Sequence, residues 1–385
     1  MRIKISNFKS VDSAEINLAP LTLLLGPPAS GKSNILDAIA FIGYFNRFLL
    51  LDKEYGNSAF NLEPLTLILR FDKHEQLFRN QDLTKRVGIE ITEGEKQTVF
   101  SMYFEDGKLF IKINNVDIPW DLMNLNLQPI SIQQIKNSIN QSIGGEFIES
   151  RLYGYDRYGL ATSTCISPFI CGFHMHLKKQ QERPFPRNIM SEFGWNASQV
   201  IRTVSDVISD LNDTIREHLG EKVEVKVLRS GETIIFDYDF EIDTQTVSDS
   251  IFRALYYLIA LRTAMNYIKV HGLERRFILL LEEPEAHLFP FFINLLADYV
   301  VKTIELAYVI VTTHNPILVS ALWDKVKKVS TYYVHRDEKG STRLHEINIE
   351  ELAEEAKTVE ELLFMSPRDV LSKFVVHRRT DVKSE

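Results

Sequence analysis

Residues 26–33 read Gly26-Pro27-Pro28-Ala29-Ser30-Gly31-Lys32-Ser33 and fit the spacing G-x-x-x-x-G-K-[ST]. Glycines at the first and sixth positions let the backbone curl until successive N–H groups converge on phosphate oxygens. Lys32 adds a mobile cation and Ser33 a hydroxyl for Mg²⁺, while a following helix N-terminus favours negative charge. Pro27 and Pro28 remove two amide donors, so the contacts are expected from Ala29, Ser30, Gly31, Lys32 and Ser33. Far downstream, Phe277–Leu281 runs straight into Glu282-Glu283-Pro284-Glu285. There the first carboxylate is placed to hold a metal, usually through water, and the second to polarise an attacking water. A third segment, Tyr308–Thr312, ends in Thr313-His314-Asn315-Pro316. A histidine at that strand end suits a γ-phosphate or water-sensing role. The three segments spell phosphoryl chemistry.

These groups can meet only if the elements beneath them share an edge. Leu21–Leu25 is a continuous apolar run, expected of a strand buried on both faces, and it opens into the glycine loop. A long apolar helix is expected from about 33 to 51. The later half alternates: helix 249–270, strand 277–281, helix 290–306, strand 308–312, helix 316–324. Parallel strands in such a pattern bring their carboxyl ends to one edge, where ligands bind. Elsewhere the period is two. Ile3 and Ile5 alternate with polar residues, residues 14–18 read as a second strand, and 87–118 alternate around an Asp106-Gly107 hairpin. That stretch predicts an antiparallel β lobe. Residues 121–190, with Gly144-Gly145, Tyr153, Tyr155, Tyr158, Pro184 and Pro186, carry no clear period. Helical spacing begins near Ala197 and ends near Gly220; strands follow at 223–227 and 233–240, joined at Ser230-Gly231. A last hairpin, 331–335 with 343–347, turns at 338–340, and an acidic helical tail centres on 349–363.

The opening Ile5-Ser6-Asn7-Phe8-Lys9-Ser10, the loop ending Gly31-Lys32-Ser33-Asn34, the segment Glu282–Leu288 and Thr313–Pro316 together resemble one family. They look like ABC-type ATPase heads of the SMC/RecF/OLD group, closest to compact OLD-like (overcoming lysogenization defect) prokaryotic ATPases. The likeness covers 1–50 and about 190–350 well and the middle weakly. It implies an α/β P-loop NTPase fold, an ABC-type head with an antiparallel β lobe and a helical insertion. The implied division is 1–120 for the N-terminal half-head, 121–221 for a mostly helical insertion, 222–348 for the C-terminal half-head and 349–385 for a helical tail.

Carried over residue by residue, the resemblance makes ATP and Mg²⁺ the cofactors. Gly26, Ala29, Ser30, Gly31, Lys32, Ser33, Asn34 and Lys9 would contact nucleotide, with Ser33 and Glu282 on the metal. Glu283 would be the catalytic base, His314 the switch histidine, and Glu285–Leu288 the D-loop of a dimer interface. Ser248-Asp249-Ser250 falls at the signature position, where a Ser N-cap and a helix dipole could face the γ-phosphate held by a second copy. Ser250 stands where glycine is usual, and Glu282 where Asp is commoner. The Q-loop glutamine has three candidates, Gln128, Gln133 and Gln134.

Composition narrows the rest. The 385 residues carry 44 Lys+Arg and 52 Asp+Glu, a net charge of −8, with 45% hydrophobic residues. This is ordinary globular composition, and it excludes disordered and collagen-like chains and a protein coated in basic charge. Two cysteines, Cys165 and Cys171, support no disulfide framework. Met1–Ile5 begins as a strand and not as a signal peptide, and the apolar stretch 251–268 is broken by Arg253 and Arg262. A cytoplasmic protein without a membrane span is expected. With no heptad run, an SMC-type tether is not expected, and with about 60 residues beyond Leu322 a fused Toprim nuclease, which OLD nucleases carry after the ATPase, is not expected either. Asp237-x-Asp239 reads as a solvated strand face. Cys165, Cys171, His174 and His176 could ligate zinc, but their spacing fits no ordinary template. Lys178, Lys179, Arg183 and Arg187 form one basic cluster and His377-Arg378-Arg379 another, so DNA is a candidate partner through phosphate contacts. The expected function is an ATP-gated homodimer acting in DNA repair or anti-phage defence. The rivals are a slow ATP clamp that recruits a separate effector such as a nuclease, and a small-molecule kinase.

Overall fold

Strand pairing follows the two apolar periods. The computed structural model describes residues 1–50, 66, 68–119, 148–154, 189–220, 223–242, 247–348, 351–352 and 358–376, with isolated positions between 134 and 177. In chain order the first strands are β1 (Arg2–Phe8), β2 (Val11–Asn17), β3 (Leu21–Leu25), β4 (Val87–Glu93), β5 (Lys96–Glu105), β6 (Lys108–Ile113) and β7 (Val116–Pro119). They are followed by β8 (Glu149–Tyr153), β9 (Val223–Val227), β10 (Thr233–Asp237), β11 (Phe240–Ile242), β12 (Phe277–Glu282), β13 (Tyr308–Thr312), β14 (Val329–Arg336) and β15 (Thr342–Glu346). Among the described residues twelve strands form one sheet, in the order β7-β6-β5-β4-β1-β2-β15-β14-β3-β13-β12-β8.

At one end β8, β12, β13, β3 and β14 are all parallel. β3 is buried throughout and β12 along all but its last residue, as their unbroken apolar runs require. At the other end β1, β2 and β4–β7 pair antiparallel, and alternate residues such as Ile3, Ile5, Val87, Ile89 and Ile91 point into the core. The Asp106-Gly107 turn has both residues at positive φ, 49° and 74°, matching the right-handed twist of β5 and β6. The β lobe is thus an extension of the core sheet itself.

Helices α1 (Lys32–Leu50), α2 (Ser205–Leu219), α3 (Asp249–His271), α4 (Pro290–Thr303) and α5 (Pro316–Lys325) pack around it. α3 is apolar almost all round and is buried along most of its length. α1 lies unusually close to β8. Ser150 Oγ donates to the Ile39 carbonyl at 2.8 Å, and a Cβ added at Gly43 would sit 2.1 Å from Ser150 Oγ.

Three expectations need amending. The helical insertion over 121–221 did not include β8, which joins the sheet edge beside β12 and is buried at every residue. The strand expected over 233–240 breaks at Tyr238, whose φ of 54° turns the chain into β11; Asp237 and Asp239 are exposed there. The single helix expected from 197 is interrupted at Val204, and α2 starts afresh at Ser205. The described part of the tail forms short helices at Val359–Phe364 and Pro367–Lys373. Among the described residues no helix is long and apolar enough to cross a membrane.

Candidate active site

Four adjacent parallel strands, β14, β3, β13 and β12, deliver their carboxyl ends to one edge. In register, Leu24 lies beside Thr312 and Thr312 beside Glu282. The phosphate loop, His314, the Glu282-Glu283 pair and Arg336 are therefore neighbours by construction.

The loop takes the conformation its glycines permit. φ is 142° at Gly26, 58° at Ala29 and 99° at Gly31. An added Cβ at Gly26 would lie 2.1 Å from the Val334 carbonyl oxygen, and one at Gly31 would lie 2.0 Å from Thr342 Oγ1. No larger residue fits at either position. Behind the loop runs a chain of hydrogen bonds. Asn34 Nδ2 donates to Ser10 Oγ at 2.6 Å, Ser10 and Thr342 share a hydroxyl contact of 2.7 Å, and Thr342 Oγ1 donates to the Ser30 carbonyl at 3.1 Å. The Thr342 proton is used on Ser30, so the Ser10 hydroxyl must donate to Thr342. Arg336 Nε donates to the Ala29 carbonyl at 3.1 Å from the open side.

Lys32 Nζ donates to the carbonyls of Gly26 at 2.8 Å and Pro27 at 3.0 Å. Burial lowers its pKa, while Glu283, Glu285 and Glu282 act to raise it. A cleft of about 280 Å³ is lined by Pro28–Asn34 together with Arg70, Glu283 and Arg336. Glu283 has a φ of 41°, rare for a residue with a side chain, and its amide donates to the Thr312 carbonyl at 3.0 Å. The turn swings its carboxylate outward, where Oε1 lies 3.3 Å from His314 Nδ1. Glu282, by contrast, is mostly buried, with Oε1 3.8 Å from Arg70.

Not every expected residue enters the cleft. Lys9 Nζ donates to Asp37 Oδ2 at 2.6 Å and to the Leu69 carbonyl. It lines an adjoining cleft of about 480 Å³ with Asn34, Arg70, Gln76, Asn80 and Gln81. Ser248 occupies the N-cap position of α3, but its side chain makes no capping bond; Asp249 instead accepts from Arg253 Nε. The neighbouring Ser250 Oγ accepts from the Phe289 amide at 3.0 Å, so the α3 start and the 285–289 turn adjoin within one chain. Gln134 is exposed, while Gln128, Gln133, the Cys165/Cys171/His174/His176 set and both basic clusters lie outside the described residues.

Arg70, Arg336 and Thr342 escape a motif search. Each belongs to an otherwise ordinary stretch and reaches the loop only through strand pairing or a turn. Arg70 joins Glu282 to the buried Asp37 of α1, 3.5 Å away, from a backbone φ of 53°.

The donor set suits Mg²⁺. Among the described residues no group of three or more metal-binding side chains gathers, and Ser33 and Glu282 offer hard oxygens beside a phosphate loop. Mg²⁺ is commonly held by one or two such groups, with water and phosphate completing the shell.

Residues 2–183 match the family model described as AAA domain. No curated protein matches the sequence. Among solved structures, the chain resembles an Smc head bound to the C-winged helix domain of ScpA at TM-score 0.50 and 14% identity, covering 92% of this chain and 98% of that one. A Pyrococcus furiosus Smc head domain with an extended coiled coil, also bound to ScpA, gives TM-score 0.48 and 12% identity over 92% and 98% of the two chains. At this identity the likeness shows the fold alone, a mixed α/β architecture built on one large mixed sheet, as in that Smc head.

Proposed function

We propose that this chain is an ATP-hydrolysing ABC-type head that works as an ATP-gated homodimer on DNA, in repair or in anti-phage defence. The observation that carries the reading is the meeting of Lys32, Glu283 and His314 at one sheet edge, with Glu283 and His314 in contact.

On this reading Lys32 exchanges the carbonyls of Gly26 and Pro27 for β- and γ-phosphate oxygens, while the amides from Ala29 to Ser33 hold the rest of the phosphate chain. Glu283, projecting into the cleft, takes the proton of the attacking water, and His314 orients that carboxylate and faces the γ-phosphate. Ser33 and Glu282 would hold Mg²⁺, which when bound neutralises charge on the β- and γ-oxygens. Arg70 and Arg336 add positive charge to the same cleft. The start of α3, with Ser248 and Asp249, would cover the nucleotide of a second copy, and the exposed His287, Phe289 and Ile317 would line the joint. A small-molecule kinase has no use for this arrangement in trans.

The likeness to an Smc head bound to a ScpA domain supports a second reading, a slow clamp whose work is done by a separate effector such as a nuclease. Turnover with and without duplex DNA separates the two. Stimulation of at least several-fold, abolished in Glu283→Gln, supports the DNA-coupled ATPase. Slow turnover indifferent to DNA supports the clamp, and no ATP hydrolysis at all refutes both.

A further inference from the structure

Glu285, 3% exposed, is one of four buried carboxylates among the described residues, and it closely follows Glu283. Its Oε1 accepts from Thr313 Oγ1, and the same Thr313 oxygen accepts from the Asn315 amide at 2.9 Å. Asn315 Oδ1 in turn accepts from the Ile317 amide at 2.8 Å and caps α5. The His314 amide also lies close enough to favour the carboxylate's ionised form. His314 thus sits in the middle of a relay anchored at one end on Glu285 and at the other on a helix. Glu285 Oε2 is buried and has no hydrogen-bond partner, so the hold on Thr313 is the main polar interaction this side chain makes.

We propose that Glu285 is a positioning residue, whose buried carboxyl ties the turn after β12 to the 313–315 segment and so sets the alignment of His314 on Glu283. Glu283 is fixed by its own backbone, through the Thr312 carbonyl, and needs no help from Glu285. The 313–315 segment has its own backbone anchor on β3, where the Thr313 amide donates to the Leu24 carbonyl at 3.3 Å; the Glu285–Thr313 bond adds the tie to the turn after β12. The charged groups around this carboxyl are Glu283 on the turn after β12 and Lys32 on the phosphate loop, and the His314 backbone amide faces it from beyond β13. An isosteric amide at 285 can still accept from Thr313, whereas a methyl group cannot. The bond is therefore separable from the charge.

The inference rests on the ATPase reading for its kinetic arm only. Glu285→Ala should lower kcat for ATP at least tenfold with KM within about threefold, and Glu285→Gln should restore kcat to within about threefold of the parent. Independently of turnover, amide exchange at His314 and Asn315 should quicken at least tenfold in Glu285→Ala and return towards parental rates in Glu285→Gln. If Glu285→Ala does not fold, Thr313→Val breaks the same bond from its other end and Thr313→Ser retains it, with the same two readouts. Parental kcat and parental exchange in either bond-breaking variant overturn the proposal. So does a loss of kcat that the conservative variant does not rescue. A parent protein that hydrolyses no ATP refutes the functional reading alone, and the exchange rates still decide the role of Glu285.

Discussion

Nδ1 of His314 lies 3.3 Å from Oε1 of Glu283. The two residues follow the ends of neighbouring parallel strands, β13 and β12, in which Thr312 pairs with Glu282. One step past that pair each chain turns outward, and the positive φ of Glu283 aims its carboxylate at the imidazole. A carboxylate and an imidazole are thereby held together at the sheet edge by backbone geometry.

Lys32→Ala tests the phosphate cradle. Lys32 is the only side-chain cation within the loop itself, and charge-assisted bonds are worth about 1.5–3 kcal/mol each. Calorimetry should show ATP affinity falling by roughly ten- to a hundredfold per bond lost. Unchanged affinity would remove the loop from the site.

Glu283→Gln separates binding from chemistry. The amide cannot take a proton, so hydrolysis should slow by about 10²- to 10⁴-fold while ATP still binds. Glu282→Gln should instead weaken the dependence on Mg²⁺. Retention of parental kcat in Glu283→Gln means the two carboxylates have exchanged roles or another base acts.

Dimerisation should follow nucleotide. A two-fold partner would place the N-terminus of α3 over the phosphate and would create two such sites at once. Light scattering of Glu283→Gln with ATP and Mg²⁺ should report a doubled mass. Ser248→Arg should stay monomeric with ATP bound. Equal masses with and without ATP in Glu283→Gln, with normal turnover in Ser248→Arg, count against the sandwich.

Burial pushes the Glu285 carboxyl from its ordinary value near 4.5 up to about 7, although Thr313 and nearby amides oppose the rise. Below both values the group is protonated folded and unfolded, and pH has no effect through it. Between them the unfolded chain releases its proton and the folded chain keeps it, so stability falls as pH rises. Above about pH 7 the whole penalty, roughly 3 kcal/mol, is in force. Glu285→Gln lacks that titration, so its melting temperature relative to the parent should climb between pH 4.5 and pH 8. The same difference at both pH values would show that folding leaves the Glu285 carboxyl at its ordinary pKa.

Much of this arrangement was legible in contiguous residues, because the chemistry demands it locally. A phosphate cradle needs glycines and a lysine within one turn. A strand buried on both faces needs an unbroken apolar run, and the acids and histidine follow such runs directly at Glu282, Glu283 and His314. The antiparallel lobe announced itself through alternation and the Asp106-Gly107 turn.

What the tertiary structure alone decided is pairing between distant segments. β8 was hidden because Glu149, Ser150 and Arg151 are polar by type, yet all are buried beside β12 and α1. Thr342 lies against the phosphate loop only because β15 folds back along β14 and beside β2. Arg336 reaches the loop because β14 pairs with β3, and Arg70 reaches Glu282 from a turn at positive φ. Lys9 pairs with Asp37 of α1, a buried carboxylate that no local pattern associates with it. Motifs encode what one stretch of backbone can bind; which side chains brace it depends on strand order, and strand order is set by burying every apolar face at once.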